Sequence, residues 1–114
     1  MKDELQDLID LLHERKCSCV LRNGEIYTFE RRGVEDLYAL LREQPGLLLG
    51  ADVADKVVGK GAAALMVLGR VRRVYADVLS EPAYGLLFQA GISVSYGRLV
   101  SAIRNRAGNG WGPG

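Results

Sequence analysis

The dipeptide Asn23-Gly24 constrains the fold of this chain more than any other feature, because it lies between two runs that favour β-strands. These runs cover residues 17–22 and 25–30, and the second is rich in β-branched and aromatic side chains. Asn-Gly at such a junction predicts a β-hairpin whose two turn residues both adopt positive φ. We therefore expect the two hairpin strands to join a sheet with the strands that follow in the chain.

Apolar residues at helical spacing predict one helix before the hairpin and one after it. The first covers residues 5–12 and has acidic residues toward its N-terminal end, where the helix dipole favours them. The second follows Gly33 and stops before Pro45. A short apolar connector at residues 47–50 leads into the second half of the chain.

The second half predicts helices that alternate with strands. Residues 52–68, rich in Ala and Gly, indicate a helix packed closely against a sheet, and residues 71–79 indicate a strand. Ser80 is the expected N-cap of the next helix, which ends at Gly91. Residues 92–96 predict a last strand and residues 99–106 a last helix. Such alternation implies parallel crossovers, so we expect an α/β fold of three α-β-α layers with a mixed sheet and an N-terminal β-hairpin.

The length of 114 residues fits one domain, which we place at residues 1–107, followed by a Gly-rich C-terminal tail at residues 108–114. Hydrophobic residues at 48% and charged residues at 25% indicate a soluble globular chain. We expect no membrane association, since no apolar run approaches about 18 residues. The acidic start does not resemble a signal peptide, and two closely spaced Cys do not make a disulfide framework. These features predict a cytoplasmic protein.

Charge is unevenly distributed along the chain. Residues 1–55 carry seven basic and twelve acidic side chains, whereas residues 56–114 carry eight basic and two acidic ones. The basic half either forms a patch for phosphate groups or an acidic partner, or it neutralises the acidic half within the fold or across an oligomer interface. The second interpretation is favoured, and we expect a homo-oligomer. A sequence pI of about 7.8 argues against nucleic-acid binding.

Cys17 and Cys19 are two residues apart, which on a strand puts them on one face, and His13 lies just upstream. Three such groups are too few for a closed structural zinc site, so small buried hydrophobic residues are the favoured interpretation. His13 is also poorly placed for catalysis, because ligands of sheet-based folds usually sit at the C-terminal ends of strands. We therefore expect no metal and no cofactor.

Gly59-Lys60-Gly61 resembles the end of a phosphate-binding loop, but the match fails, since Ala54 and Gly61 stand where that motif needs Gly and Ser or Thr. A weaker argument for an anion remains. A helix beginning at Asp52 or Asp55 would offer exposed N–H groups, with Lys56 and Lys60 on one face. Both lysines equally suit pairing with the two aspartates.

Two further groups of polar residues carry no strong signal. Arg70, Arg72 and Arg73 suit a solvated edge, and Arg104–Arg106 beside Trp111 either close over a ligand or cap the last helix. Asp55 and Glu81 are the weak candidates for acid–base catalysis, although a carboxylate at a helix start is usually a cap or dipole partner.

The segment 50–64, the segment 75–83 and the pair Asn105-Arg106 resemble an uncharacterised prokaryotic family, domain of unknown function family 1893. The resemblance covers nearly the whole chain. It implies a cytidine deaminase-like fold. Deaminases of that fold hold zinc with a His or Cys at one helix start, beside a catalytic Glu, and with Pro-Cys-x-x-Cys at the next.

Laid on this chain, the first deaminase motif falls near Ala54-Asp55-Lys56 and the second on residues 82–86. Pro82 is present, but Ala83 and Leu86 occupy the two Cys positions. The resemblance therefore implies a relative without the zinc site, and zinc-dependent deamination is not expected.

The leading hypothesis is a cleft between two helix N-termini that binds a small nucleotide-like or phosphorylated ligand. Its predicted lining is Asp52, Asp55, Lys56, Lys60, Ser80, Glu81, Asn105 and Arg106. The alternatives are a non-catalytic interaction or oligomerisation module, and a metal-independent hydrolase or transferase that uses Asp55 or Glu81.

Overall fold

The computed structural model describes residues 4–15, 17–30 and 34–103 and contains five helices and five strands in that part of the chain. In chain order they are α1 (Glu4–Glu14), β1 (Cys19–Asn23), β2 (Glu25–Phe29), α2 (Glu35–Glu43), α3 (Pro45–Leu48), β3 (Asp52–Val58), α4 (Lys60–Gly69), β4 (Arg73–Ser80), α5 (Glu81–Gln89) and β5 (Ser93–Val100). The predicted helix at 5–12, the hairpin, the helix after Gly33 and the helix capped by Ser80 are all confirmed.

One mixed sheet has the strand order β2-β1-β3-β4-β5. β1 is antiparallel to both of its neighbours, whereas β3, β4 and β5 run parallel to one another. Helices α4 and α5 supply the two crossovers that parallel neighbours require. The expected α/β architecture with an N-terminal hairpin is confirmed.

The sheet separates two apolar cores and so forms the middle of three layers. On one face α1 contributes Leu8 and Leu12, which pack against Val20 and Ala54. On the other face α2 to α5 cover a larger core that includes Leu21, Val53, Met66, Leu79 and Leu87. No helix is long and apolar enough to cross a membrane within the described ranges.

The predicted helix over residues 52–68 is wrong in its first part. Its first part is β3 and its second part is α4, with Gly59 between them. Val53, Val57 and Val58 are β-branched, and β3 lies between two strands with five of its seven residues buried. Such a strand lacks alternating polarity, which is why its apolar residues can be mistaken for part of a helix.

Two predictions about the ends of helices and connectors also need correction. The helix predicted over 99–106 is wrong at its start, because Leu99 and Val100 continue β5 and pair with Leu79 and Ser80. Residues 101–103 are not helical either, and residues 104–106, like the tail at 108–114, lie outside the described residues. The connector after α2 contains the short helix α3.

The turn at Asn23-Gly24 differs from the predicted one, since only Gly24 has a positive φ, of 79°. Asn23 instead pairs with Glu25 in the ladder and turns its side chain toward α3. Its Nδ2 donates to the carbonyl oxygens of Gly46, Leu47 and Leu49 at 3.0–3.1 Å. Asn23 thus holds the α3 segment against the hairpin.

The two cysteines do not share a face. Cys17 precedes β1 and packs into the core under α1, whereas Cys19 packs into the core on the other face. Both are free and buried, which agrees with their interpretation as small hydrophobic residues.

Candidate functional site

The C-terminal edge of the parallel strands brings two helix N-termini side by side. Val58 near the end of β3 pairs with Leu79 near the end of β4. The chain then enters α4 at Lys60 and α5 at Glu81, and these two helices pack against each other. This edge is where ligands of open α/β sheets usually bind.

The N-terminus of α4 is open. Its N-cap is Gly59, which has no side chain to accept a hydrogen bond from the first turn, and that turn contains no acidic residue. Lys60, the first residue of α4, is exposed. The N–H groups of a first turn have no partner inside the helix and carry a partial positive charge, so this end favours an anion.

The N-terminus of α5 is capped by the chain itself. Ser80 is fully buried, and its Oγ accepts a hydrogen bond from the Ala83 N–H at 3.2 Å. Glu81 follows as an exposed carboxylate in the first turn, and Pro82 takes a position that needs no N–H. Ser80 is therefore a structural cap, whereas Glu81 is available at the rim.

Asp55 lies in the interior of β3, beneath this edge, and is only 7% exposed. It is opposite Cys19 in the β1–β3 ladder, and the Val57 N–H donates to its Oδ1 at 3.4 Å. Burial raises the pKa of Asp55 from 3.8 to about 7, against the lowering effect of hydrogen bonds from Val57, Lys56 and Cys19. Burial also raises the pKa of the Cys19 thiol well above its ordinary value, and Asp55 adds to that effect.

Asp52 lies at the opposite end of β3 and does not join the other predicted residues. Its carboxylate accepts four hydrogen bonds, of 2.8–3.1 Å, from Arg72 and Arg73. Burial opposes ionisation, but these hydrogen bonds outweigh it and lower the pKa of Asp52 to about 2. The arrangement ties the entry of β4 to that of β3, so Arg72 and Arg73 are more than a solvated edge.

Lys56 and Lys60 lie in different elements. Lys56 is an exposed residue of β3, whereas Lys60 is the first residue of α4. The prediction that both lysines share one helical face is therefore wrong. Asn105 and Arg106 lie outside the described residues. Lys60, Ser80 and Glu81 are the predicted residues that lie at this edge.

A polar cluster on the α1 face was not predicted. His13 at the end of α1 contacts Asp77 of β4, with 2.7 Å between Nε2 and Oδ1, and the Tyr75 hydroxyl donates to the same oxygen at 2.7 Å. Burial, together with the hydrogen bond to Asp77, raises the pKa of Tyr75 to about 12. His13 and Asp77 are 64 positions apart, and no short-range pattern connects them.

Only one of the two positions assigned to the deaminase motifs lies at a helix start. Residues 82–86 are in the first part of α5, but Ala54, Asp55 and Lys56 lie inside β3, so the first assignment is wrong. Over the ranges that the structure covers, no group of three or more His, Cys, Asp or Glu side chains has the arrangement of a metal site.

Comparison with known proteins identifies close structural likeness. The family model for TM1506, a domain of unknown function (DUF1893), matches residues 7–113. The crystal structure of a DUF1893 family protein (TM1506) from Thermotoga maritima superposes with a TM-score of 0.83 at 23% identity, covering 99% of this chain and 78% of that one. No curated protein matches the chain.

More distant likeness is found to Acinetobacter baumannii RibD. Its two crystal forms give TM-scores of 0.53 and 0.52 at 17% identity and cover 82% of this chain. The chain spans only about a third of the RibD chains, 33% and 34% of the two forms. The likeness shows the fold alone, which is cytidine deaminase-like.

Proposed function

The chain belongs to the DUF1893 family, and we propose that it binds a small phosphorylated or nucleotide-like ligand where β3 and β4 end and α4 and α5 begin. The observation that supports the proposal is the open N-terminus of α4, with Gly59 as its N-cap and Lys60 as its first residue. A phosphate placed there accepts hydrogen bonds from the first-turn N–H groups and is attracted by the ammonium of Lys60.

The neighbouring α5 limits what the rest of the ligand can be. Its N-terminal N–H of Ala83 is already used by Ser80, and the exposed carboxylate of Glu81 repels a second anionic group. A carboxylate accepts hydrogen bonds and cannot donate them, so Glu81 suits hydroxyl or amino groups. A sugar phosphate or nucleotide has one anionic end, which suits the start of α4, and several hydroxyl groups, which suit Glu81.

Calorimetric titration with common nucleotides and sugar phosphates tests the proposal. We expect saturable binding of at least one compound, weakened about tenfold or more by Lys60→Gln, because a charge-assisted hydrogen bond is worth about 1.5–3 kcal/mol. Lys56→Gln is the matched control, since that exposed lysine lies within β3 and not at the start of α4. No binding across the panel, or equal effects of the two substitutions, would overturn the proposal.

We also propose a reducing cytoplasm as the place where the chain works. The support is that Cys17 and Cys19 are free thiols in separate cores. Catalysis by Asp55 or Glu81 is a separate hypothesis. Nucleic acid and membranes stay outside the expected partners.

A further inference from the structure

The strand β5 forms one edge of the described sheet and is unusually open. It pairs with β4 on one side, and six of its eight residues are exposed. Its pairing with β4 keeps a constant offset along the strand, so β5 presents about 26 Å of continuous edge. An exposed strand edge offers a row of backbone N–H and C=O groups to another strand.

The sequence of β5 lacks the features that usually prevent such pairing. Ser93–Val100 contains no Pro, Lys or acidic residue, and Arg98 is its one charged side chain. The opposite edge, β2, is shorter by three residues and begins with the exposed Glu25. The two edges of the described sheet therefore differ, and β5 is the one suited to pairing.

An aromatic cluster flanks the same edge. Tyr84 and Phe88 on α5 stack with ring centroids 5.9 Å apart, and Tyr84 meets Tyr96 of β5 edge-on at 6.1 Å. These rings remain exposed, at 36% for Tyr84, 66% for Phe88 and 42% for Tyr96. Tyrosine and phenylalanine concentrated in one patch are characteristic of the buried centre of a protein interface.

We propose that β5 and the aromatic cluster form the contact between two copies of this chain, related by a twofold axis. Antiparallel pairing of two β5 strands needs no second surface, because an isologous contact uses the same patch on both partners. The pairing extends the sheet from five described strands to ten and places the two α5 helices on the same side. Tyr84 and Phe88 of each copy then cover the junction, which supplies the apolar burial that an edge pair alone lacks.

Light scattering and sedimentation of the full chain test the proposal. We expect a dimer of twice 12.5 kDa that dissociates on dilution. Phe88→Glu should weaken dimerisation about tenfold or more, because it puts a charge into the centre of the contact. Leu68→Glu on α4 is a matched control, since Leu68 has the same exposure of 66% but lies away from the cluster. Circular dichroism verifies that both variants fold.

Amide hydrogen exchange distinguishes pairing with a second copy from cover of the β5 edge by the chain itself. Protection of β5 amides that rises with protein concentration supports pairing between copies. Protection that is independent of concentration in a monomeric chain overturns the proposal and indicates cover by the chain itself. A dimer that survives Phe88→Glu overturns it as well, because its contact then lies elsewhere. Ligand binding at Lys60 is measured separately and does not decide either result.

Discussion

Replacing Asp55 with Asn should change how the stability of this protein depends on pH. Asp55 is 7% exposed, and burial raises its pKa from 3.8 to about 7. Between these two values the folded chain keeps a proton that the unfolded chain has released. The free energy of unfolding must therefore fall as pH rises through that window, and it levels off above about pH 7.

The magnitude follows from the shift. Each pKa unit corresponds to about 1.4 kcal/mol, so the full window from 3.8 to about 7 is worth roughly 4 kcal/mol. From about pH 5 to about pH 8 the wild-type chain should lose roughly 3 kcal/mol through this one group. A small domain is typically stable by about 5–15 kcal/mol, so the loss is large enough to measure.

Asn keeps the acceptor oxygen that receives the Val57 N–H, but it cannot ionise. Asp55→Asn should therefore be close to wild type at about pH 5 and more stable than wild type at about pH 8. Denaturant unfolding of both proteins at both pH values measures this difference. Other titrating groups largely cancel, because they are common to the two proteins.

Asp10→Asn is the matched control, because Asp10 is exposed on α1. Its effect on the free energy of unfolding should be the same at the two pH values. The reasoning about Asp55 is refuted if Asp55→Asn also has the same effect at both, since burial would then not favour the protonated carboxyl.

Three further substitutions test contacts that position the elements. Asp52→Asn should lower the free energy of unfolding at pH 7 by about 1.5–3 kcal/mol in urea titration, because it removes the buried carboxylate that accepts charge-assisted hydrogen bonds from Arg72 and Arg73. In the wild-type chain that stabilisation is present above pH 3.8 and is lost as pH falls through about 2. Asn23→Ala removes the donor to three carbonyl oxygens of the α3 region and should cost about 1–3 kcal/mol by the same measurement, with little change expected if α3 is held otherwise. Arg70→Gly should raise the free energy of unfolding by about 0.5–1 kcal/mol and so raise the melting temperature. Arg70 is the C-cap of α4 with φ 62°, a left-handed conformation that glycine adopts without strain. A lower melting temperature would show that the Arg70 side chain contributes more than its backbone strain costs.

The elements that could be predicted are those whose signal is local. The α1 pattern of Leu8 and Leu12, the Ser80 cap and the stop at Gly91 each depend on residues a few positions apart. For the same reason the start of α5 can be predicted and the start of α4 cannot. Ser80 is identified as a cap by its neighbours, whereas β3, which leads into α4, is a buried strand without alternating polarity and resembles part of a helix.

The positions of the candidate residues can be predicted only in part. Lys60, Ser80 and Glu81 lie at the same edge because each lies directly at a strand-to-helix junction. Asp52 and Lys56 were misplaced, since their positions depend on where β3 begins and on which face each residue takes. A one-residue change of register exchanges the two faces of a strand, so such assignments need the pairing partners.

The sequence by itself determined the class of fold, because hairpin turns, helix caps and apolar periodicity are written in neighbouring residues. It also determined that the chain has few side chains suited to binding a metal, because it contains one His and two Cys among 114 residues. Only the tertiary structure decided that Asp55 is buried and Asp52 is held by two arginines. It alone joined His13 to Asp77, and Tyr84 and Phe88 to Tyr96. These contacts depend on the order and direction of strands in the sheet, which pairing across the whole chain sets and no local pattern specifies.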